Sequence, residues 1–557
     1  MDPETVAEII NTDKGIPAAH YVPFSGPLYE NTARNPELQV PRHTKMYERL
    51  SPRYRHAMTD KQLISTVKYF AGTKPVFFLS EILEYLDEPR SVNEIFATLQ
   101  PRLGELRLSA RKTGSDYEIS RILPPQQSLI SEGEEERISA FFNRGAIPSR
   151  LDEALGQYIT KKAGKEYTEP AVLERLRKAI VAQKDDYWRP AHLRTLQYAK
   201  GYSILGYLAY HFPVYFMQTE HLFSMLARDG LLKPSMNILD VGTGPGVVPL
   251  AIADFYSRLE TRQATVHSLE RSEEHREAFM FLREHCTEKG ANASIKAPIA
   301  MDITNPDLGK VPGKIDLMIF SNVLNELPGD SPESGAEIVA KLAERLSPDG
   351  TILITEPADE ENATRMRSLT VALTRRGFSI YGPCAFLWGT ACEAPRCWSF
   401  TSASPIRLTK VMQVLAQGPE GYRYVNTDIK YSYAVLRRDG LTKPECRLPA
   451  DAKFLRMSKL HLHVGKRINI AVAKMSGELG NAKTHVIKIC DGTAKTPVYA
   501  IIPSYHITPE NELIVKAPYG SILELRGVLV RFNKAHNAYN LLVSRNTGIN
   551  IHDAIIE

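Results

Sequence analysis

The sequence has few cysteines, few tryptophans and no long apolar run. Its 557 residues include 6 cysteines and 3 tryptophans, which excludes a small secreted scaffold held together by disulfides. The most apolar stretch, residues 201–217, contains His211 and Pro213 and is too short and too polar to span a bilayer. The first 15 residues are acidic and polar, unlike a secretory signal or a transit peptide. We therefore expect a soluble cytoplasmic protein, monomeric when free and without a membrane partner.

A large excess of charge of either sign is also missing. The totals are 69 Lys and Arg against 64 Asp and Glu, a formal charge of +5. Residues 441–557 hold 16 Lys and Arg against 9 Asp and Glu, so this segment alone has a net charge of +7. A mildly basic chain permits a nucleic-acid partner without requiring one. The length predicts several domains rather than a single core.

The first 130 residues predict an arm followed by a small α+β domain. Residues 1–65 are rich in Pro, Tyr, Arg and Asn with little periodicity, so we expect an extended arm. In residues 66–130, two helical patterns at 76–86 and 92–99 precede strand-like alternation over 106–122, the outline of a winged helix. Basic residues of that hairpin suit nucleic acid, although a solvated hairpin face explains them equally well: Arg107, Arg111 and Lys112.

Residues 131–232 are predicted to form a helical domain. They contain few glycines, and their apolar residues recur at spacings of three and four. We expect this domain to cover a catalytic sheet. Its basic residues Arg175, Arg177 and Lys178 suit contact with RNA, but a solvated helix face is the simpler interpretation.

The stretch Asn237 to Leu250, NILDVGTGPGVVPL, predicts a strand, a glycine-rich turn and a helix. Glycines at alternate positions allow a tight turn and close approach of a ligand, and the free N–H groups of the helix start favour a negatively charged group. The loop, with an acid at the strand end, resembles that of class I methyltransferases more than that of dinucleotide-dependent dehydrogenases. We therefore predict that S-adenosylmethionine is bound by these loop residues: Asp240, Gly242, Thr243, Gly244 and Gly246.

Residues 233–440 alternate between strand and helix patterns. The predicted strands are 237–241, 265–269, 293–300, 315–320, 351–355, 378–381 and 431–437. This succession predicts an α/β fold with a Rossmann-like, doubly wound sheet of seven strands, whose ligand lies at the carboxyl ends of the strands. Glu270 follows the second strand and is expected on the ribose hydroxyls, while Asp302 and Asn322 would border the cofactor. The sixth strand is expected to run parallel to its neighbours and to end at the same edge.

A cysteine-rich insertion is predicted at residues 382–430. A Gly- and Pro-rich stretch of 14 residues contains Cys384, Cys392 and Cys397. Thiolates clustered in this way bind soft metals. The fourth ligand has to come from elsewhere, from Cys490 or Cys446, or from His461 or His463 in a zinc site. Spacing alone does not separate zinc from an iron–sulfur cluster. Cys286 lies on a helical pattern and suits a core position.

After a linker at residues 441–466, residues 467–557 predict a small β-barrel. Five alternating segments with a turn at Asp491 and Gly492 resemble an OB-fold, a barrel that commonly binds single-stranded nucleic acid through aromatic and basic residues. The residues of these types in this region are Lys466, Arg467, Lys488, Tyr499, Arg531, Phe532, Lys534 and Tyr539.

The motifs occur in an order that resembles that of a known family. The glycine loop, IDLMIFSNVLNEL, CAFLWGTACEAPRCWSF, IKYSYAVLRR and HVIKICDG occur as in methyltransferase-like assembly factors of the small ribosomal subunit. The resemblance covers roughly residues 147–491, and the C-terminal barrel looks like an addition to it. It implies a [4Fe–4S] cluster on Cys384, Cys392, Cys397 and Cys490, with the small ribosomal subunit and its rRNA as partners. The residues after the first cysteine, Ala385 and Phe386, depart from the family pattern.

No catalytic residue is evident in the sequence. The segment after the fourth strand, Ser321 to Glu326, lacks the Asn/Asp-Pro-Pro-aromatic motif of methyltransferases that act on amines, and it offers no nucleophile. We therefore favour a ribosome-binding assembly or translation factor that holds S-adenosylmethionine and a cluster. An active rRNA methyltransferase is the first alternative, and a zinc-containing small-molecule methyltransferase is the second.

Overall fold

The computed structural model describes residues 52–74, 76–87, 89–103, 106, 108–121, 130–187, 201–287, 291–327, 331–389, 392, 397–418, 420–443, 448 and 452–551. Residues 1–51 of the expected arm, Arg107, Cys446 and a short part of the expected linker lie outside these ranges. In the described part of the chain no helix is both long and apolar enough to cross a membrane.

The first described region is a small module of two helices and a three-stranded sheet of order β1-β3-β2. Its elements are α1 (Pro52–Thr73), β1 (Val76–Phe78), α2 (Val92–Leu99), β2 (Leu108–Thr113) and β3 (Asp116–Arg121). Two predictions are wrong here. Residues 52–65 are helical rather than extended, and residues 76–78 form a strand where a helix was expected. Val76 pairs with Ser120, and Phe77 is buried, because the β-branched and aromatic run fits a pleated surface.

Within the described residues five helices follow, and they share one apolar core with one face of the central sheet. They are α3 (Glu132–Arg144), α4 (Ser149–Ala163), α5 (Pro170–Tyr187), α6 (Tyr202–Tyr210) and α7 (Phe212–Arg228). Ser131 caps α3 by accepting a hydrogen bond from the N–H of Glu134, and Gly145 ends it in a left-handed conformation. Arg177 donates to the carbonyls of Leu415 and Gln417, so this residue ties the helical region to the chain beyond the sheet.

The central domain is a mixed sheet of spatial order β10-β12-β9-β8-β4-β5-β6, with two short strands paired at its edges. Its strands are β4 (Ser235–Val241), β5 (Gln263–Glu270), β6 (Ala293–Ile295), β7 (Ile299–Ala300), β8 (Ile315–Ser321), β9 (Leu346–Pro357), β10 (Ser379–Gly382), β11 (Thr401–Ala403) and β12 (Ile429–Arg437). Its helices are α8 (Val247–Ser257), α9 (Glu273–Cys286), α10 (Pro332–Leu342), α11 (Glu360–Thr374) and α12 (Lys410–Leu415). This is the class I methyltransferase fold that the sequence predicts.

Two strands differ from the prediction. The third is interrupted between β6 and β7 at Pro298, which has no N–H to donate to a neighbouring strand. The sixth, β10, is antiparallel to its neighbour β12, so the expectation of parallel neighbours is wrong. Because β12 is itself antiparallel to β9, β10 still points the same way as the parallel strands. The segment that begins at Pro383 therefore leaves the sheet at the edge where the glycine loop lies.

The C-terminal region is a closed five-stranded barrel. Its elements are β13 (Arg467–Lys474), β14 (Thr484–Cys490), β15 (Val498–Pro503), α13 (Leu513–Lys516), β16 (Ile522–Asn533) and β17 (Ala538–Leu542), with β18 (Gly548–Ile551) added on β16. The barrel closes because β16 pairs with β13 as well as with β17, and β15 pairs with β17 in parallel. This order is that of an OB-fold, as predicted, while β18 was not predicted.

The N-terminal module and the barrel share one apolar core. Leu63, Val67 and Phe70 of α1 belong to the same buried cluster as Ala471 and Ile522 of the barrel. A polar contact lies beside this core: the carboxylate of Glu524, fully buried, accepts hydrogen bonds from the hydroxyls of Tyr69 and Tyr85 and pairs with Arg526. The two ends of the chain therefore form one body.

We expect Glu524→Ala to lower the free energy of unfolding by about 3 kcal/mol, because it removes the buried carboxylate that accepts hydrogen bonds from two tyrosine hydroxyls and pairs with Arg526. The matched control is Glu84→Ala. Glu84 pairs with the same arginine at 2.6 Å, but its side chain is 72% exposed, so its loss should cost less than about 1 kcal/mol. Urea unfolding of the full chain measures both values, and equal effects would contradict the shared-core interpretation.

Candidate functional site

A cavity of about 690 Å³ opens at the carboxyl ends of β4, β5 and β8. Its floor is the glycine loop between β4 and α8, and Tyr207 and Tyr215 of the helical region form part of its wall. Seven of the eight predicted cofactor residues line it: Asp240, Gly242, Thr243, Gly244, Glu270, Asp302 and Asn322. The structure thus brings together residues from three separate strand ends, as expected for the ligand site of a doubly wound sheet.

Geometry explains why the first of these loop positions is a glycine. Gly242 has a φ of +74°, and a Cβ on it would lie 2.4 Å from Cγ2 of Val323. A larger residue would therefore push the loop away from the segment after β8. Gly244 has a φ of +54°, and its N–H donates to the carboxylate of Glu270 at 2.8 Å.

Gly246 has a different role from the one predicted. It does not line the cavity, and a Cβ on it would lie 2.2 Å from the ring of Phe279 in α9. With a φ of +91° it begins α8, and its missing side chain lets that helix pack against its neighbour. This is the helix-packing role that the third glycine has in dinucleotide-binding loops.

Several polar atoms of the site are buried without a partner among the described residues. Both carboxylate oxygens of Asp240 are in this state, as are Oγ1 of Thr243, Oδ1 of Asn322 and Nε2 of His275. Burial raises the pKa of Asp240 to about 7, and the charge of Glu270 contributes to the shift. Because a buried polar group without a hydrogen bond costs free energy, this set fits a ligand that carries donors and a positive charge.

Glu270 stays charged in spite of its burial. Burial alone would raise its pKa, but His275 and the N–H groups of Ser272 and Gly244 lower it below the usual range. The carboxylate is therefore an acceptor at the end of β5, where the architecture places the acid that binds ribose hydroxyls. Asp302 is half-exposed, accepts from Thr304, and keeps its pKa below the usual range through those hydrogen bonds.

Sequence reasoning missed the residues that face the cofactor loop from the helices. Burial raises the pKa of Tyr207 well above its usual value, so its hydroxyl remains a neutral donor. Glu326, after β8, lines the same cavity as Tyr207 and Tyr215. The two tyrosines lie in a helical stretch whose periodicity marks a buried face but not what that face meets. Glu326 belongs to the segment Ser321 to Glu326, in which the sequence shows no catalytic motif.

Glu356 is a second buried acid near this segment. It lies at the end of β9 and accepts hydrogen bonds from the N–H groups of Leu324 and Asn325, at 3.1 and 3.3 Å. Burial raises its pKa to about 8. Its contacts hold the loop after β8 in place below the cavity, a role that no sequence pattern indicated.

The four predicted metal-binding cysteines, three from the insertion and one from the barrel, are electrostatic neighbours. Cys384 follows β10, Cys392 and Cys397 lie in the insertion, and Cys490 ends β14 of the barrel. Burial raises the pKa of Cys384 to about 11, and the charges of Cys397 and Cys392 add to this. Burial and the same two cysteines raise the pKa of Cys490. Cys286 lies apart from them on α9.

The placement of the four cysteines does not by itself define a metal site. Among the described residues, no three His, Cys, Asp or Glu side chains are arranged to hold one metal ion. Tetrahedral zinc would bring its sulfur ligands within about 3.8 Å of one another. His461 and His463 are beside the start of the barrel, and neither belongs to such a group.

Two buried cations face these cysteines without a carboxylate partner among the described residues. Arg367 of α11 is 6% exposed and hydrogen-bonds only hydroxyls, those of Ser399, Ser432 and Tyr519. Its electrostatic neighbours include Cys384 and Cys397. Lys488 of β14 is 7% exposed, donates to the carbonyl of Trp398 and lies 3.9 Å from Sγ of Cys397. Buried cations require nearby negative charge, which metal-bound thiolates supply.

The insertion packs directly on the barrel. Nε1 of Trp388 donates to Asp491 at 3.0 Å, and a Cβ on Gly492 would lie 3.3 Å from Cα of Phe386. Asp491 also accepts from the N–H of Met457 and from Thr493. The turn after Cys490 is thereby fixed against the segment that follows Cys384.

Comparison with protein families finds three matches along the chain. Residues 215–400 match a family described as a methyltransferase domain. Residues 60–112 and 458–552 match the N-terminal and the C-terminal domain of a family described as a domain of unknown function, DUF8157. No curated protein matches the chain in sequence.

Solved structures similar to the chain include three methyltransferase-fold proteins. One, assigned as an S-adenosyl-L-methionine-dependent methyltransferase of Methanococcus maripaludis, is 15% identical, with 29% of this chain and 64% of that chain covered and a TM-score of 0.20. Fibrillarin of Aeropyrum pernix with bound S-adenosyl-L-methionine is 15% identical over 37% and 67% of the two chains, with a TM-score of 0.21. An rRNA methylase of Streptococcus thermophilus is 15% identical over 40% and 94%, with a TM-score of 0.23.

The chain therefore spans slightly under two thirds of the length of the first of these proteins. At such identities and scores the likenesses add nothing beyond the fold. The assignment of the methyltransferase fold rests on the strand order and on the family match over residues 215–400.

We expect the affinity for S-adenosylhomocysteine to rise with pH between about 5.5 and 7.5. The raised pKa of Asp240, about 7, means that its carboxyl is protonated below pH 7, and the proton must leave before the carboxylate pairs with the ligand ammonium. Each pH unit below the pKa therefore costs up to about tenfold in affinity. Equilibrium dialysis over this pH range measures the affinity for S-adenosylhomocysteine.

Asp240→Asn should weaken binding at pH 7.5 and remove the pH dependence. Asp302→Asn is the matched control, because Asp302 is ionised throughout this range; it should weaken binding and leave the pH dependence in place. His275→Gln tests the neighbouring imidazole and should also retain it. A pH dependence that survives in Asp240→Asn would contradict the assignment.

Proposed function

We propose that the protein is an S-adenosylmethionine-binding, methyltransferase-like factor that carries a [4Fe–4S] cluster and acts on the small ribosomal subunit through its rRNA. The observation that carries the proposal is the grouping of four cysteines beside two buried cations that have no carboxylate partner among the described residues. The ribosomal part comes from the resemblance of the motif order, and the experiments below test it separately.

S-adenosylmethionine fits the cavity by the chemistry of its donors and acceptors. The carboxylate of the ligand would meet the N–H groups at the start of α8, and its ammonium would meet Asp240. Glu270 would accept hydrogen bonds from the ribose hydroxyls. The bound cofactor supplies an electrophilic methyl group on a sulfonium. The protein supplies the orientation of that ligand and a cavity wall of Tyr207 and Tyr215.

The family resemblance favours an iron–sulfur cluster over zinc. The residues that would hold it are Cys384, Cys392, Cys397 and Cys490, the set that the resemblance implies. Four thiolates on such a cluster carry net negative charge, which Arg367 and Lys488 would balance. Cys446 stays the alternative to Cys490 as the fourth ligand; it lies outside the described residues, so this alternative rests on the sequence alone.

An active rRNA methyltransferase is the second candidate, and one observation favours it. Tyr207, Tyr215 and Glu326 line the same cavity as the cofactor loop, so polar side chains are available on the side from which an acceptor would enter. Burial keeps Tyr207 neutral, which leaves the carboxylate of Glu326 as the candidate base. Methyl transfer stays the alternative because the segment after β8 has neither a recognised methyltransferase motif nor a nucleophile.

Anoxically purified protein should be brown and contain about four iron and four sulfide per chain. Cys490→Ser and Cys384→Ser should each lose most of the iron. Cys286→Ser is the matched control, since Cys286 lies on α9 outside the group, and it should keep the full content. Iron and acid-labile sulfide assays with visible absorption measure this outcome. One zinc and no sulfide in the wild-type protein would contradict the cluster.

Deletion of the gene should reduce mature small subunits, and RNA cross-linking in cells should recover small-subunit rRNA. Gly242→Val, which would drive a side chain into Val323, should abolish binding of the cofactor. If this variant restores subunit assembly as the wild type does, the cofactor has no role in assembly. If deletion removes a methylated rRNA position that the wild type restores and Gly242→Val does not, the protein is an active methyltransferase and the preferred proposal is wrong.

A further inference from the structure

We infer that the cofactor cavity and the cysteine group are coupled sites: metal on the cysteines strengthens binding of the ligand in the cavity, and the ligand strengthens retention of the metal. This inference rests on the proposed function, because it takes both sites as able to bind their ligands. The connection runs through residues 355–362, which we call the linking segment. It comprises the end of β9, the turn after it and the start of α11.

The linking segment holds the loop after β8, which forms part of the cavity. The buried carboxylate of Glu356 accepts hydrogen bonds from the N–H groups of Leu324 and Asn325, at 3.1 and 3.3 Å. Both N–H groups lie between Asn322 and Glu326, two residues that line the cavity. A displacement of Glu356 would therefore move the cavity lining at this loop.

The same segment also holds two helices of the region that forms the cavity wall. Oγ1 of Thr355 accepts from the side-chain amide of Gln218 in α7 at 2.8 Å, and both residues are buried. The hydroxyl of Tyr187, at the end of α5, donates to Asp359. Tyr215 of α7 lines the cavity and is an electrostatic neighbour of Tyr187. The linking segment thus fixes the wall as well as the loop.

On the other side, the linking segment bonds to the cysteine-rich insertion. Nε1 of Trp398 donates to the carbonyl of Ala358 at 2.7 Å. Trp398 follows Cys397 directly in the chain, and its own carbonyl accepts from Lys488 of the barrel. A movement of the insertion at Cys397 therefore reaches the linking segment through a single hydrogen bond.

Helix α11 provides a second connection to the cysteines. Arg367 lies about two turns beyond the start of this helix and donates to the hydroxyl of Ser399 at 3.0 Å. Its electrostatic neighbours include Cys384 and Cys397. The helix that begins in the linking segment thus carries one of the two buried cations beside the cysteine group.

The insertion is the element whose position would depend on the metal. Metal-bound thiolates supply negative charge to Arg367 and Lys488, neither of which has a carboxylate partner among the described residues. Without the metal, the docked insertion buries two uncompensated cations, which is unfavourable. An insertion that loosens loses the bond from Trp398 to Ala358. Coupling between distant sites requires an element of this kind, with two arrangements that both sites influence.

The experiment measures the affinity for S-adenosylhomocysteine by equilibrium dialysis at constant pH. It compares the anoxically purified full chain with the same chain after EDTA and ferricyanide have removed its metal. Removal should weaken binding by about fivefold to twentyfold, within the usual range of such couplings. Saturating S-adenosylhomocysteine should in turn reduce the amount of metal lost to a fixed concentration of EDTA, because coupling is reciprocal.

Trp398→Phe keeps an aromatic ring and removes the donor to Ala358. The metal-loaded variant should keep its metal and bind S-adenosylhomocysteine as weakly as the metal-free wild type. Removal of its metal should then change the affinity less than about twofold. A purely structural role of Trp398 would instead lower the metal content or the stability and leave the difference between loaded and metal-free protein in place.

Trp388→Phe is the matched control. Its Nε1 donates to Asp491 of the barrel at 3.0 Å, so this tryptophan of the same insertion bonds away from the linking segment. The variant should keep the full difference in affinity between loaded and metal-free protein. Equal loss of that difference in the two variants would overturn the route through residues 355–362.

Two outcomes distinguish a failure of this inference from a failure of the proposed function. If the purified chain holds no metal on its cysteines, the proposed cluster is wrong and the coupling is wrong with it. If the chain holds metal and binds S-adenosylhomocysteine equally well with and without it, only the coupling is wrong. Circular dichroism checks that the metal-free chain is folded. If it unfolds, the loaded Trp398→Phe variant decides, because its binding is weakened only if the coupling exists.

Discussion

The balance of buried charge around the four cysteines connects the domains of this protein. Arg367 comes from the sheet domain and Lys488 from the barrel; both are buried beside the cysteines, and neither has a carboxylate partner among the described residues. Burying a cation without compensation costs several kcal/mol, so the arrangement is stable when the thiols are ionised and least stable when they are protonated. Since Cys490 belongs to the barrel and Cys384 follows β10, whatever ionises the thiols also holds the barrel against the sheet.

The cofactor site has the opposite electrostatic character. There the buried charges are acids: Asp240 lies within the cavity, and Glu270 keeps its charge through His275 and the N–H groups of Ser272 and Gly244. One edge of the sheet therefore combines an acidic pocket with a cysteine group that faces cations. The two sites lie on strands separated in the sheet by β9 and β12, and the loops that follow β8 and β9 come between them. Glu356, which fixes the loop after β8, lies at the end of β9.

Features that depend on neighbouring residues could be predicted from the sequence, whereas features that depend on contacts between distant residues could not. The glycine loop and the barrel strands follow from short patterns, and the strand order of the methyltransferase fold follows from their succession. Residues 76–78 were misassigned because three apolar residues fit a helix or a strand until β3 pairs with them. Tyr207 and Arg367 could not be assigned, because each meets its partners across the sheet or the insertion. The glycine pattern of the loop includes Gly246, but a glycine pattern does not distinguish a ligand contact from helix packing.

The shared core of the N-terminal module and the barrel has a consequence for synthesis. Tyr69 and Glu524 are hydrogen-bonded across 455 residues of sequence, so the methyltransferase domain is an insertion within a body made by both chain ends. During translation the first helix can pack early on its own module, on Phe77 and Ile82 among others, but the barrel's share of the core arrives only when Ile522 has been made. A truncation that removes β16 would therefore leave the barrel-facing side of that helix exposed.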